Sequence, residues 1–109
     1  MRRVIVESPF AGDVALNLRY LRAALRDCLM RGEAPFASHG LYTQEGVLDD
    51  ADPEERRLGI EAGCEWRYSA ERTVVYADLG ISMGMLSGIR HAADIGHPVE
   101  YRTVPGWGR

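Results

Sequence analysis

Two short stretches of the chain carry residue types that chemistry needs. Ser8-Pro9-Phe10-Ala11-Gly12-Asp13 brings together a small hydroxyl, an aromatic ring able to stack on a base, and an acid. Asp78-Leu79-Gly80-Ile81-Ser82-Met83-Gly84 sets glycines on both sides of Ser82. Glycines let the backbone approach a bound molecule, and the unpaired amides of a helix start attract phosphate or carboxylate. The same pattern also fits an ordinary strand-to-helix turn, and Asp13 reads first as a helix cap that accepts the amides of the following turn. No G-x-G-x-x-G is present, so a dinucleotide fingerprint is not supported. All 13 basic residues are arginine, and the absence of lysine excludes Schiff-base chemistry and a phosphate-loop lysine. His39, His91 and His97 lack metal-ligand spacing, and Cys28 and Cys64 stand far apart with no C-x-x-C. Neither a metal nor a cofactor is expected, and the thiols read as reduced and half-buried. Asp49 and Asp50 are adjacent acids in a polar loop, which are usually solvated.

The elements that must position these stretches follow from periodicity. Arg3 to Glu7 is a β-branched run ended by Ser8-Pro9, which predicts a buried strand. Val14, Leu18, Leu21, Leu25 and Cys28 recur at spacings of four and three, which predicts an amphipathic helix stopped by Gly32. Ala34–Ala37 predicts a short strand at an edge, because Pro35 has no amide for a ladder. Ser38 to Ala51 reads as a long loop able to act as lid or plug over a site. Asp52-Pro53-Glu54-Glu55 opens a second helix with a cap, a proline at the first position and acids at the positive dipole end. Leu58, Ala62 and Trp66 line one face of it, and Gly59 and Gly63 predict close approach of a neighbour. Thr73–Tyr76 is a strand, Met85, Ile89, Ala92 and Ala93 mark a third helix, and Pro98–Val104 gives the last strand. The order β-α-β-α-β-α-β predicts a small flavodoxin-like or Rossmann-like three-layer sandwich, with a mostly parallel four-stranded sheet and helices on both faces. Ligands in such sheets sit beyond the carboxyl ends of the strands where strand order reverses. Here that point lies between the first and third strands, so the two stretches face each other across it.

Composition bounds the function from outside. At 109 residues, 46% hydrophobic and 27% charged, residues 1–109 read as one domain able to bury about two-thirds of its unfolded surface. The net charge of −3 removes the main electrostatic argument for nucleic-acid binding. No apolar run approaches the ~20 residues of a membrane span. The apolar stretch after Met1-Arg2-Arg3 is too short for a signal peptide, so the expected location is the cytoplasm.

The residues also resemble a known family. Ser8-Pro9-Phe10-Ala11-Gly12-Asp13, Asn17, Arg19-Tyr20, Arg31 to Ala37 with His39, and Tyr76 to Met85 are similar to short phage and bacterial proteins of the nucleoside 2-deoxyribosyltransferase-like superfamily. The similarity covers nearly the whole chain. It implies a flavodoxin-like fold, cleavage or transfer of N-glycosidic bonds of deoxynucleosides or their 5′-monophosphates, and a homo-oligomer, in the host cytoplasm if the chain is phage-encoded. It implies ligand contacts at Ser8, Pro9, Phe10, Gly12, Asp13, His39, Gly80, Ser82, Gly84 and Met85. The chemistry requires a carboxylate at the anomeric carbon, because the transition state is oxocarbenium-like, and a second group to assist the departing base. In active relatives the nucleophilic glutamate lies in a pattern resembling Gly-Met-x-x-Glu-Ile-x-x-Ala. The matching stretch here is Gly84 to Ala92, and the glutamate position is Gly88. Glu71 and Asp78 are the acids the resemblance leaves as catalytic candidates, His91 reads as a surface residue, and Trp107 is expected to dock on a neighbouring subunit. Three readings follow: a nucleoside- or nucleotide-binding protein whose catalysis is lost or weakened, an N-glycosidase or transferase working through another acid, and a non-catalytic interaction protein.

Overall fold

A computed structural model describes residues 1–108. The elements run β1 (Arg2–Glu7), α1 (Val14–Met30), β2 (Glu33–Phe36), α2 (Ser38–Leu41), α3 (Pro53–Arg67), β3 (Arg72–Tyr76), α4 (Met83–Asp94) and β4 (Val99–Arg102). The four strands pair in the order β2-β1-β3-β4, all parallel. This is the expected α/β architecture, with the reversal between β1 and β3. Register places Val6 beside Val74 and Glu7 beside Val75.

Strand alternation divides the chain between two faces. Val4, Val6, Val74 and Tyr76 pack with Tyr20, Leu21, Ala24 and Cys28 of α1 in the buried core. Ile5, Glu7, Thr73 and Val75 turn the other way, toward α3 and α4. The caps fall where side-chain chemistry put them: Asp13 accepts from Leu16 N at 3.1 Å, Asp52 from Glu54 N at 2.9 Å with Pro53 in the first turn, and Ser82 Oγ from Met85 N at 3.3 Å. Among the described residues no helix is long and apolar enough to cross a membrane.

Two local expectations are corrected, and the inward side of α3 is defined. The segment after Ser38 is not wholly loop, because it begins with the short helix α2. On α3, Leu58 and Trp66 are half exposed, at 54% and 50%. The inner line is Gly59, Gly63 and Arg67, spaced by four, and a Cβ on Gly63 would meet Ser38 Oγ at 2.6 Å. Close approach of α2 decides which side of α3 faces in, and this outweighs the pull of the larger apolar residues. Trp107 packs edge-on against Tyr20 of its own chain, with ring centroids 4.8 Å apart. The tail is held there because Asp78 Oδ2 accepts from both Tyr20 Oη (2.6 Å) and Val104 N (2.7 Å).

Beneath the α1 face lies a buried polar cluster. Both terminal nitrogens of Arg102 reach Glu33 at 2.7 Å, and its Nη1 also donates to Tyr76 Oη at 3.3 Å. Arg102 Nε donates to Glu100, while Tyr76 Oη donates to Asp27 at 2.7 Å. The paired guanidinium holds the Glu33 carboxyl below its ordinary value of 4.5. The stabilisation is therefore complete above pH 4.5 and is lost as pH falls through the lowered folded value. Replacing Glu33 by alanine leaves the terminal nitrogens of Arg102 without their carboxylate while Glu100 still holds Nε, with an expected loss of about 1–3 kcal/mol in urea unfolding. A loss below 1 kcal/mol would show that the pair holds nothing together.

Candidate functional site

A cleft opens at the carboxyl ends of β1 and β3, where strand order reverses. Its volume is about 530 Å³, inside the roughly 300–1,000 Å³ of small-molecule sites. The end of β1 and the loop after it supply Glu7, Ser8 and Phe10, α2 supplies Ser38 and His39, and the following loop supplies Tyr42 and Leu48. The third wall is α3, through Gly59, Ile60, Gly63, Cys64 and Arg67, and the fourth is the start of α4 from Ser82 to Gly88. The lining surface is largely apolar.

The floor is organised by Arg67, which is buried at the end of α3. Its Nη2 donates to Glu7 Oε2 at 2.8 Å, its Nη1 to Thr73 Oγ1 at 2.6 Å and its Nε to His91 Nδ1 at 3.0 Å. His91 is consequently an acceptor at Nδ1, and its pKa is lowered by burial and by the Arg67 charge. It is half-buried, lies outside the cleft lining and packs edge-on against the exposed Tyr68. Thr73 Oγ1 continues to His97 Nδ1 at 3.0 Å, and His97 Nε2 to the Ala70 carbonyl at 2.9 Å. Glu7 is pulled two ways: burial raises its pKa, and the hydrogen bond and charge of Arg67 restrain the rise. No donor among the described residues engages its second oxygen, Oε1.

His39 hydrogen-bonds Ser8 Oγ through Nε2 at 2.7 Å, and its carbonyl accepts from Thr43 Oγ1 at 2.6 Å. That pair ties α2 and the following loop to the end of β1. Burial lowers the His39 pKa to about 4, so the ring is neutral at pH 7.

Of the residues singled out in the sequence, Ser8, Phe10, His39, Ser82, Gly84 and Met85 line the cleft. Pro9, Gly12, Asp13 and Gly80 shape the loops without lining it. Gly12 and Gly80 adopt φ of +100° and +87°, a backbone region that favours glycine, and Asp13 caps α1. The two acids considered for catalysis lie elsewhere. Glu71 precedes β3 at the amino end of the sheet, where its Oε2 accepts from Arg3 N at 2.8 Å. Asp78 is the clasp of the C-terminal segment. Glu7 and Arg67 are the participants that motif reading missed, whereas Gly63 makes the close approach expected of it. Strand alternation in Val4-Ile5-Val6-Glu7 carried the signal, because it turns an acid inward at the carboxyl end of a buried strand.

The all-parallel four-stranded α/β fold matches that of a deoxyribosyltransferase. The solved structure of a 2-deoxyribosyltransferase from the psychrotolerant bacterium Bacillus psychrosaccharolyticus aligns with a TM-score of 0.64. The alignment covers 95% of this chain and 74% of that one at 19% identity, so the likeness is one of fold. Residues 2–102 match the family described as a domain of unknown function, DUF7768, and the chain belongs to that family. A search of curated proteins finds no match.

Because the unfolded chain binds a proton at His39 near pH 6.5 and the folded chain only near 4, stability drains as pH falls across that interval. In an NMR titration the His39 imidazole should stay neutral to pH 5 and titrate near 4. A midpoint near 6.5 would show an open, solvated ring.

Proposed function

We propose that the cleft binds a nucleoside or its 5′-monophosphate, and that glutamate-based N-glycoside cleavage from position 88 has been lost with the side chain there. The observation that carries this reading is the position of the cleft, a 530 Å³ space at the strand-order reversal of a deoxyribosyltransferase-like fold. Phe10 offers a face for a base. The first amides of α4, at Met83 and Gly84, have no intrahelical acceptor and suit a hydroxyl or phosphate oxygen. Ser8 and His39 supply neutral hydrogen-bonding groups beside them, with Ser82 and Met85 completing that wall. In the same reading the protein works as a homo-oligomer in the cytoplasm, the host cytoplasm if it is phage-encoded. The exposed Leu58 and Trp66 on α3 are apolar surface suited to such a contact.

A second reading, an active N-glycosidase or transferase that uses another acid, is favoured by the carboxylate of Glu7 on the cleft floor.

Calorimetric titration with a panel of deoxynucleosides and their 5′-monophosphates tests the binding reading. At least one member should bind, and Phe10→Ala should weaken it by about 1–3 kcal/mol, the worth of one stacked base. If nothing on the panel binds, the reading fails.

A further inference from the structure

Gly88 is not merely a position that has lost a side chain. A Cβ built there would fall on the carboxyl group of Glu7, 2.7 Å from Oε1 and nearer still to Cδ and Oε2. Of the glycines in α3 and α4, Gly63 faces a serine hydroxyl, Gly59 meets Leu48 and Tyr42 at ordinary to tight contact, and Gly84 touches only the Ser82 hydroxyl. Gly88 alone among them is filled by a charged group from another element. The space where a position-88 side chain would begin is already held by a carboxylate reaching across from β1.

Its surroundings are those of a working carboxylate. Oε2 is anchored by the buried Arg67, whose other nitrogens are fixed by Thr73 and His91. Oε1 has no donor, and the residue borders the cleft. One oxygen is thus oriented by the protein while the other remains available, as an attacking carboxylate requires. The remaining lining acids are engaged differently: Asp50 lies 3.6 Å from Arg56, and Glu55 Oε1 accepts from Asp49 N at 3.0 Å.

We infer that Glu7 is the catalytic carboxylate of this cleft, supplied by the first strand in place of the position-88 glutamate, and that Gly88 is the vacancy that admits it. The inference rests on the nucleoside reading above and names the group that would act on the bound sugar. Glu7 Oε1 bonds to the anomeric carbon as the C1′–N bond breaks, and that electron pair leaves with the base nitrogen, which takes a proton from water. The resulting hydroxide, or a second water that gives up a proton, then adds to C1′ and frees the carboxylate. The sum is N-glycoside plus water giving free base and free sugar, with no redox change.

The experiment compares binding and free-base release on the same deoxynucleoside and 5′-monophosphate panel for native protein, Glu7→Gln, Gly88→Ala and the double variant Glu7→Ala/Gly88→Glu. Native protein should release base. Glu7→Gln should keep its affinity for the substrate while release falls roughly 100-fold or more. Gly88→Ala keeps both the Glu7 carboxylate and the Arg67 guanidinium in the sequence, and should also slow release, because its methyl group shifts the carboxyl. It serves as the informative variant if Glu7→Gln, with Arg67 unpaired, fails to fold by circular dichroism. Partial recovery in the double variant would show that the carboxylate can be returned to the helix, an outcome a structural ion pair cannot give. Release unchanged in both single variants overturns the inference and leaves the binding reading standing, as does native protein that binds without releasing base. Native protein that binds nothing overturns both.

Discussion

A single buried guanidinium holds the cleft together. Arg67 reaches from the last turn of α3 to β1, β3 and α4, using each nitrogen of its planar fork for a different element. A buried charge of this kind is costly to desolvate unless every donor is matched, and the matching here is done by a carboxylate, a hydroxyl and an imidazole nitrogen. The chemistry of the neighbours is set in turn. Glu7 is held beside a cation in a place that would otherwise favour its neutral form, and His91 is fixed as an acceptor. The Thr73–His97 link extends the same order to the loop before β4.

The opposite face of the sheet repeats the device. Arg102 spans beneath Tyr76 to grip Glu33 with both terminal nitrogens, so a residue at one edge strand holds the start of the other. Both positions need a flat cation that makes two or three directed bonds at once, which a lysine ammonium cannot reproduce. The lysine-free composition therefore matches the architecture at these two points. The sheet is so narrow that each face has room for only a few apolar layers, and the two clusters do part of the fastening that a larger core would supply.

Much of the fold was legible because the strongest local signals were undiluted. The β-branched runs, the Asp13 and Asp52 caps, Pro53 and the Ser82 turn each predicted an element that exists at that place. The site was half legible. Ser8, Phe10, His39 and the Ser82–Met85 turn reached the cleft because loops at the carboxyl ends of adjacent parallel strands must meet. Glu71 and Asp78 stood out as acids next to β3, yet spacing along the chain does not reveal which end of a strand an acid occupies or whether its oxygens are already bonded. Arg67 and Glu7 are sixty residues apart, and only tertiary packing brings them together. The rotation of α3 was invisible for a related reason: a glycine line signals proximity but not which partner arrives. The Trp107 tail was misplaced because the clasp that holds it depends on Tyr20, Asp78 and Val104 converging from three parts of the chain.

The location of Glu7 has a mechanical consequence. A side chain on the second turn of a helix inherits every tilt, slide and fraying motion of that helix relative to the sheet. Glu7 is instead the last residue of a central strand, paired with Val75 of β3. Its backbone is held in the β1–β3 ladder, and Arg67 braces its side chain. Positional accuracy thereby passes from the helical layer to the sheet. What remains for α4 at Gly88 is a steric duty, to stay out of the way of the carboxylate.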